Sequence, residues 1–318
     1  MKSLVSIIIP TYNRAHLIGE TLDSIIAQLY EKWECIVVDD GSVDYTEELL
    51  EFYCKKDQRI QFHHRPANRR KGANACRNYG FEVSTGEFLI FLDSDDLLDI
   101  AVLENRIRFF KKSLDFLIFS TAKLIEGEKT NYIINNDPFE LSSQTYLKMF
   151  LAYNLPWQTS SVIWRRKVLQ KFSFDEHLQR LQDIDFHISI LNFGEYSFER
   201  INKIDSFYRI NNGIRNDVYL NQVITSFIHF FKKVYSSSLI KYEENFRDFV
   251  VFFLSRFLYP NDTKYYKQIR FVEKELLKKA NLNYKQRKLL GVKLWIDEKG
   301  IRFKGYGKLR NNILRKLV

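Results

Sequence analysis

The chain is short of glycine, proline and cysteine: 12, 5 and 3 residues respectively in 318, with no repeat and no low-complexity segment. So little glycine and proline excludes collagen-like and linker-rich classes. Hydrophobic residues at 45% and aromatics at 15% exclude a disordered chain and are enough for one large core or two smaller ones. Cys35, Cys54 and Cys76 stand apart, with no CxxC pair and no histidine at zinc spacing, which implies free, buried thiols in a reducing compartment. No apolar run reaches the roughly 18 residues of a membrane span. The longest candidate, Phe246 to Tyr259, is interrupted by Arg247, Asp248 and Arg256. A secretion signal is not expected either, because Ser3 to Pro10 is short and leads straight into polar residues. These absences predict a protein made and kept in the cytoplasm. Acidic charge is scarce at one end only. From Pro260 onward there are 17 Lys and Arg against 5 Asp and Glu, so the net charge of +10 belongs to the tail and the remainder is close to neutral. A nucleic-acid-binding main domain is therefore not expected.

What the chain has is alternation. Leu4 to Ile9, Trp33 to Val38, Ile60 to His63 and Glu87 to Leu92 read as strands, and Ala15 to Gln28, Thr46 to Cys54 and Ala73 to Val83 as amphipathic helices between them. That order predicts a mostly parallel central sheet with flanking helices, which binds ligands at the carboxyl ends of its strands. Beyond Asp115 the alternation weakens, with strands at Phe116 to Ala122 and Ser161 to Trp164, and helices at Gln144 to Leu151 and Gln182 to Phe193. Past Asp217 the pattern is predominantly helical. The expected domains are residues 1–215, α/β, and residues 216–318, helical and basic.

Three polar clusters directly follow strands: "PTYN", "DDGS" and "DSDD". Each has a local explanation, since Asp and Ser cap helices and Gly41 permits a positive φ. Ser94 or Asp95 would then cap a helix running on through "LLDIAVLENRIRFF". A cap needs one oxygen, however, and three adjacent carboxylates repel one another unless a cation is present. Two Asp one residue apart, Asp93 and Asp95, are able to share a hard cation such as Mg²⁺ or Mn²⁺ and leave positions open for diphosphate oxygens.

"VSIIIPTYNR", "CIVVDDGSVD", "NRRKGANACRNYG" and "EFLIFLDSDD" occur in this order and together resemble the family 2 glycosyltransferases, inverting enzymes of the GT-A fold. The resemblance covers about residues 3 to 215. It implies that Pro10, Thr11, Tyr12 and Asn13 line the nucleotide base, that Asp39 accepts a hydrogen bond from uracil, and that Asp40 lies beside it. The stretch Asn68, Gly72, Ala75, Arg77, Asn78 and Gly80 is similar to a family segment that closes over the nucleotide sugar. Lys71 either adds charge near the diphosphate or is a solvated surface lysine. Asp93 and Asp95 match the family's DxD, with Asp96 assisting or capping. In "LQDIDFHISIL" the resemblance makes Asp183 the general base for the acceptor hydroxyl. Gln182 departs from the pattern, since many members carry Glu there. The bland alternative is that Asp183 and Asp185 merely favour a helix N-terminus; His187 reads as structural. Trp157 is a candidate for stacking on a sugar face and Trp164 for the core. "FYRINNGIR" resembles a Tyr-Arg segment often followed by His, a place held here by Asn211, so that Arg209 or Arg215 is the candidate for the phosphates.

The tail "IRFKGYGKLRNNILRKLV" has apolar residues near helical spacing among basic ones. It would either lie on an anionic membrane surface or dock on its own domain. Taken together, the resemblance implies a metal-dependent transfer from a UDP-linked nucleotide-sugar donor to a glycan or lipid-linked acceptor, by an enzyme peripheral to the inner face of the cytoplasmic membrane. The alternative is a non-catalytic sugar-nucleotide-binding or membrane-adaptor protein of the same fold, which Gln182 and Asn211 favour.

Overall fold

Val5–Thr11 (β1) and Trp33–Asp39 (β2) are buried at every position, as mainly apolar strands in the middle of a doubly covered sheet are, and the buried Glu34 on β2 is satisfied by the Ser6 hydroxyl on β1 at 2.7 Å. The computed structural model describes residues 3–134, 141–210, 216–257, 266–298 and 305–316. β1 pairs in parallel with β2 on one side and with β4 (Phe88–Phe91) on the other, while β2 pairs in parallel with β3 (Ile60–His64). Helices α1 (Ile18–Ile26), α2 (Thr46–Lys56) and α3 (Ala73–Val83) make the crossovers. α3 lies so close to β1 that a Cβ on Gly80 would stand 2.5 Å from Ile8 Cγ2. Glycine at that position is what allows the approach.

Beyond β4 the sheet changes character. A two-residue strand β5 (Leu97–Leu98) precedes α4 (Val102–Phe109), followed by β6 (Phe116–Ile125), β7 (Glu128–Ile133), β8 (Val162–Arg165) and β9 (Phe198–Arg209). Among the described residues the sheet has nine strands in the order β3-β2-β1-β4-β8-β6-β9-β5, with β7 paired to β6. β8 runs antiparallel to both β4 and β6, whereas β6 and β9 are parallel, so the sheet is parallel in its first half and mixed in its second. β7 and β9 are not predicted from sequence: β7 is polar and mostly exposed, and β9 is largely half-exposed with two register shifts against β6. The β6–β7 turn uses left-handed Glu126 and Gly127, at φ 51° and 84°.

The chain divides into two compact units, residues 1–143 with 155–214 and residues 144–154 with 215–318. The first holds the sheet, α1 to α4, a short α6 (Arg166–Leu169) and α7 (Gln182–Phe193). A buried ion pair braces it: Arg106 on α4 donates to both oxygens of Asp205 on β9, each at 2.8 Å. The second unit holds α5 (Ser143–Leu151), α8 (Asp217–Tyr235), α9 (Glu243–Phe257), α10 (Tyr266–Lys279), α11 (Tyr284–Glu298) and α12 (Tyr306–Arg315). Its core is aromatic, with Phe227 and Phe253 stacked at 3.6 Å and Phe230, Phe231, Phe246 and Phe249 around them. α12 packs against α9 and α11 and buries Tyr306 and Ile313, so the described part of the tail docks on its own unit through these two side chains, while Leu309 is exposed and Phe303 and Leu317 lie outside the described residues. Among the described residues no helix is long and apolar enough to cross a membrane.

Candidate active site

Three strands stop at one edge of the first unit. Thr11 ends β1 opposite Asp39, Asp39 ends β2 opposite His64, and Ile8 lies opposite Phe91, the last residue of β4. The loops that follow interlock. Asn13 adopts a left-handed φ of 52°, and its N–H donates to Ser42 Oγ (2.8 Å) while its side-chain oxygen accepts from Val43 N–H (2.8 Å). Asp39 is buried and accepts from the N–H groups of Gly41 (2.9 Å) and Ser42 (2.8 Å) and from the Ser42 hydroxyl. Asp40 pairs with Arg65, whose Nε donates to it at 2.5 Å. The Lys71 ammonium sits 4.3 Å from the centre of the half-exposed Tyr12 ring.

The "DSDD" segment forms a turn, with Asp96 N–H donating to Asp93 O (3.1 Å), and then runs into β5; no helix begins before Val102. The helix-cap reading of these aspartates therefore does not hold. Asp96 points inward and accepts from Arg209 N–H (3.0 Å). Arg209 Nε donates to Asp95 O (2.8 Å) and its Nη2 to Glu20 (2.6 Å). Arg14 stands 3.8 Å from the Asp95 carboxylate. Asp93 is 40% exposed at its side chain and is held by Arg77 Nη2 at 2.6 Å. Burial, and then the neighbouring Asp93, raise the Asp95 carboxyl above its ordinary range. Burial raises Asp96 well above it, with Asp93 and Asp95 adding to the effect. The acceptor-only oxygens of Asp93 and Asp95 suit a hard divalent ion.

Arg77 ties this edge to α7. Its Nη1 donates to Asn74 Oδ1 and to Gln182 Oε1, each at 3.3 Å, while Asn74 donates to the carbonyls of Asp175 (2.7 Å) and Leu178 (3.2 Å). Asn78 exchanges two hydrogen bonds with the backbone of Phe174. α7 opens after Leu181 in a left-handed conformation (φ 62°) and carries Asp183 and Asp185 in its first turn. Asp183 lies in the field of the same cluster: burial raises its carboxyl, Asp93 raises it further, and Arg77 lowers it. Asp185 and His187 are buried, and burial pushes the imidazole of His187 down to about 3. Trp157 does not offer a sugar platform. It is buried edge-on against His187, whose other side stacks on Trp164, so both tryptophans belong to the core. Cys76 is buried on α3, and burial pushes its thiol up to about 12, which disfavours the thiolate.

Arg14, Glu20 and Tyr208 escape the sequence reading, although Arg14 directly follows "PTYN" and Tyr208 lies in "FYR". Burial and the carboxylates of Asp96, Asp93, Asp95 and Asp183 push the Tyr208 phenol up to about 12, which locates it beside the cluster. Asn211 and Arg215 lie outside the described residues.

The open α/β sheet, with a carboxylate cluster at its first strand ends beside Arg14, Arg77 and Arg209, has the architecture of the GT-A fold. The profile described as Glycosyl transferase family 2 matches residues 6–178, and the chain belongs to that family. An uncharacterized glycosyltransferase of Rickettsia bellii is 32% identical over 186 residues, 58% of this chain and 26% of that protein. The Escherichia coli UDP-Glc:alpha-D-GlcNAc-diphosphoundecaprenol beta-1,3-glucosyltransferase WfgD is 31% identical over 211 residues, 65% of this chain and 78% of that protein. The chain spans between 26% and 43% of the length of the Rickettsia relatives it matches. Among solved structures, Staphylococcus aureus TarS 1–349 in complex with UDP-GlcNAc superposes with a TM-score of 0.70 at 17% identity, over 99% of this chain and 91% of that one, which establishes the shared fold.

Proposed function

We propose that the chain is an inverting, metal-dependent glycosyltransferase that moves a sugar from a UDP-linked donor to a hydroxyl of a growing, lipid-linked surface glycan at the inner face of the cytoplasmic membrane. Residues 1–215 would carry the transfer and residues 216–318 a basic helical region. The observation that carries the reading is Arg77, which pairs with Asp93 at 2.6 Å and bonds Gln182 beside Asp183, so that Asp93, next to Asp95, and Asp183 share one cation. In support, WfgD is named for a UDP-glucose donor and a diphosphoundecaprenol-linked acceptor, and TarS has been solved with UDP-GlcNAc.

In this reading Pro10, Thr11, Tyr12 and Asn13 line the base, Asp39 accepts from uracil N3–H, and Asp40 fixes the adjoining wall through Arg65. Mn²⁺ or Mg²⁺, held by Asp93 and Asp95, would neutralise the departing diphosphate. Asp183 takes the proton of the acceptor hydroxyl as that oxygen bonds to the anomeric carbon and the bond to UDP breaks on the opposite face. Its raised carboxyl makes it a stronger base, while the cation of Arg77 keeps it ionised. Gln182, in place of a family Glu, accepts from Arg77 without drawing its charge away from Asp183. Arg209 and Arg14, which lie beside Asp95, would meet the phosphates.

The test is a panel of UDP-sugars with Mn²⁺, Mg²⁺ or EDTA. Donor hydrolysis or transfer is expected only with metal and is lost in Asp95→Ala. Asp183→Asn should retain donor binding and slow turnover by about 10²–10⁴. Full activity in that variant would remove the base assignment.

A further inference from the structure

On α12 the apolar side chains of Tyr306 and Ile313 are buried inside the second unit, so part of the feature that first suggested a membrane contact is already occupied, while Leu309 is exposed. The neighbouring α11 is arranged the other way round. Leu290, Lys293 and Leu294 face inward, and Lys293 is neutralised there by Glu273 at 2.5 Å. Tyr284, Lys288, Val292 and Trp295 recur at steps of four, four and three, which places them on one stripe of the helix. Tyr284 is 81% exposed, Val292 45% and Trp295 54%, with Lys288 also exposed. Exposed Lys285 and Arg287 flank the stripe on either side, and no acidic residue occurs from Tyr284 to Ile296. Exposed Lys308 on α12, which packs against α11, and exposed Lys316 just after it add positive charge.

We propose that the outer stripe of α11, centred on Trp295 and Val292 and flanked by Lys285, Arg287 and Lys288, docks this protein on an anionic lipid surface. The chemistry matches an interfacial helix. An indole and a valine bury at the headgroup boundary, tyrosine sits at the water edge, and lysines pair with lipid phosphates. Charge complementarity selects anionic lipid over another copy of this chain, because two such basic stripes would repel. The inference rests on the proposed lipid-linked acceptor for its purpose, but its test does not involve sugar transfer.

Trp33, Trp157 and Trp164 are buried, which leaves Trp295 as the exposed member of the chain's four tryptophans. Its emission therefore reports the stripe directly. The full chain is mixed with vesicles of phosphatidylcholine alone or of equal phosphatidylcholine and phosphatidylglycerol, without donor or acceptor. Expected is co-sedimentation with a blue-shifted emission on the anionic vesicles only, weakened by 0.5 M NaCl. Lys285→Gln with Lys288→Gln should weaken binding about 25-fold, at about fivefold per basic residue removed. Trp295→Ser should weaken it too, while Trp295→Phe should keep sedimentation and lose the spectral change. Sedimentation without a shift in Trp295 emission overturns the assignment to this face, and so does a shift that follows protein concentration in the absence of vesicles. Equal binding to both vesicle types, or none to either, overturns the anionic-lipid partner. Metal-dependent hydrolysis of a UDP-sugar in Trp295→Ser, measured separately in solution, keeps such a failure distinct from failure of the transferase reading.

Discussion

Replacing Arg77 with Met tests the link between the acidic cluster and the base. Three bonds disappear. The 2.6 Å bond to Asp93 is charge-assisted and contributes about 1.5–3 kcal/mol, and the 3.3 Å bonds to Asn74 and Gln182 are near the limit of useful length and add about 0.5 kcal/mol each. Asp93 is 40% exposed and rehydrates when released, so the loss should fall below the roughly 2.5 kcal/mol minimum of these terms, to about 2 kcal/mol. For a unit of about 200 residues that corresponds to a melting temperature lower by about 4–8 °C. The second effect is chemical. Arg77 is the cation that lowers the Asp183 carboxyl against burial and Asp93, so its removal raises that carboxyl further. A base acts only when ionised, so the acidic limb of the kcat/KM profile should move to higher pH. Arg77→Lys keeps the charge and loses the fork; the limb should return while the melting temperature stays lowered. An Arg77→Met enzyme with an unmoved acidic limb would refute the action of Arg77 on Asp183. An unchanged melting temperature would refute its bridging role.

Gly80→Ala drives a Cβ to 2.5 Å from Ile8 Cγ2, and overpacking of that kind costs about 1–3 kcal/mol; denaturant unfolding should show it, and less so in an Ile8→Ala background. Arg106→Met leaves Asp205 buried without its bidentate partner and should cost about 3–5 kcal/mol, whereas Arg106→Met with Asp205→Leu should recover most of it in the same assay. His187 contributes a pH dependence. Its imidazole is held from the ordinary 6.5 down to about 3, so the folded chain refuses a proton that the unfolded chain accepts. That stability is complete above about pH 6.5 and is lost as pH falls toward 3, by at most about 5 kcal/mol. Urea unfolding from pH 7 to 5 should lose stability in the parent and less in His187→Gln; parallel slopes would show that His187 is not the group responsible.

Mainly apolar runs made β1, β2 and β4 readable, because in a strand covered on both faces a polar residue such as Glu34 needs buried partners, here the Ser6 hydroxyl and the Gly86 N–H. The positions of "PTYN", "DDGS" and "DSDD" followed, since a parallel arrangement delivers every such strand end to one edge. β9 carries no comparable signal. Its half-exposed residues and two register shifts remove any clean period, yet it brings Tyr208 and Arg209 to the carboxylates. Trp157 illustrates a different limit: an indole suits a sugar face and a core equally well, and only its burial against His187 decides for the core.

By itself the sequence determined the parallel half of the sheet, the helices between its strands, the family and the candidate carboxylates, because hydrophobic period and motif order are local properties of the chain. Tertiary structure decided which groups meet. Arg77 reaches Gln182 across 105 residues, Arg106 reaches Asp205 across 99, and Arg209 reaches Asp96 across 113. It also decided that "DSDD" runs into a strand instead of capping a helix, and that α12 buries Tyr306 and Ile313 while α11 presents Trp295. A side chain's composition states what it is able to bond; only the packed fold chooses, among residues a hundred positions away, the one close enough to bond with.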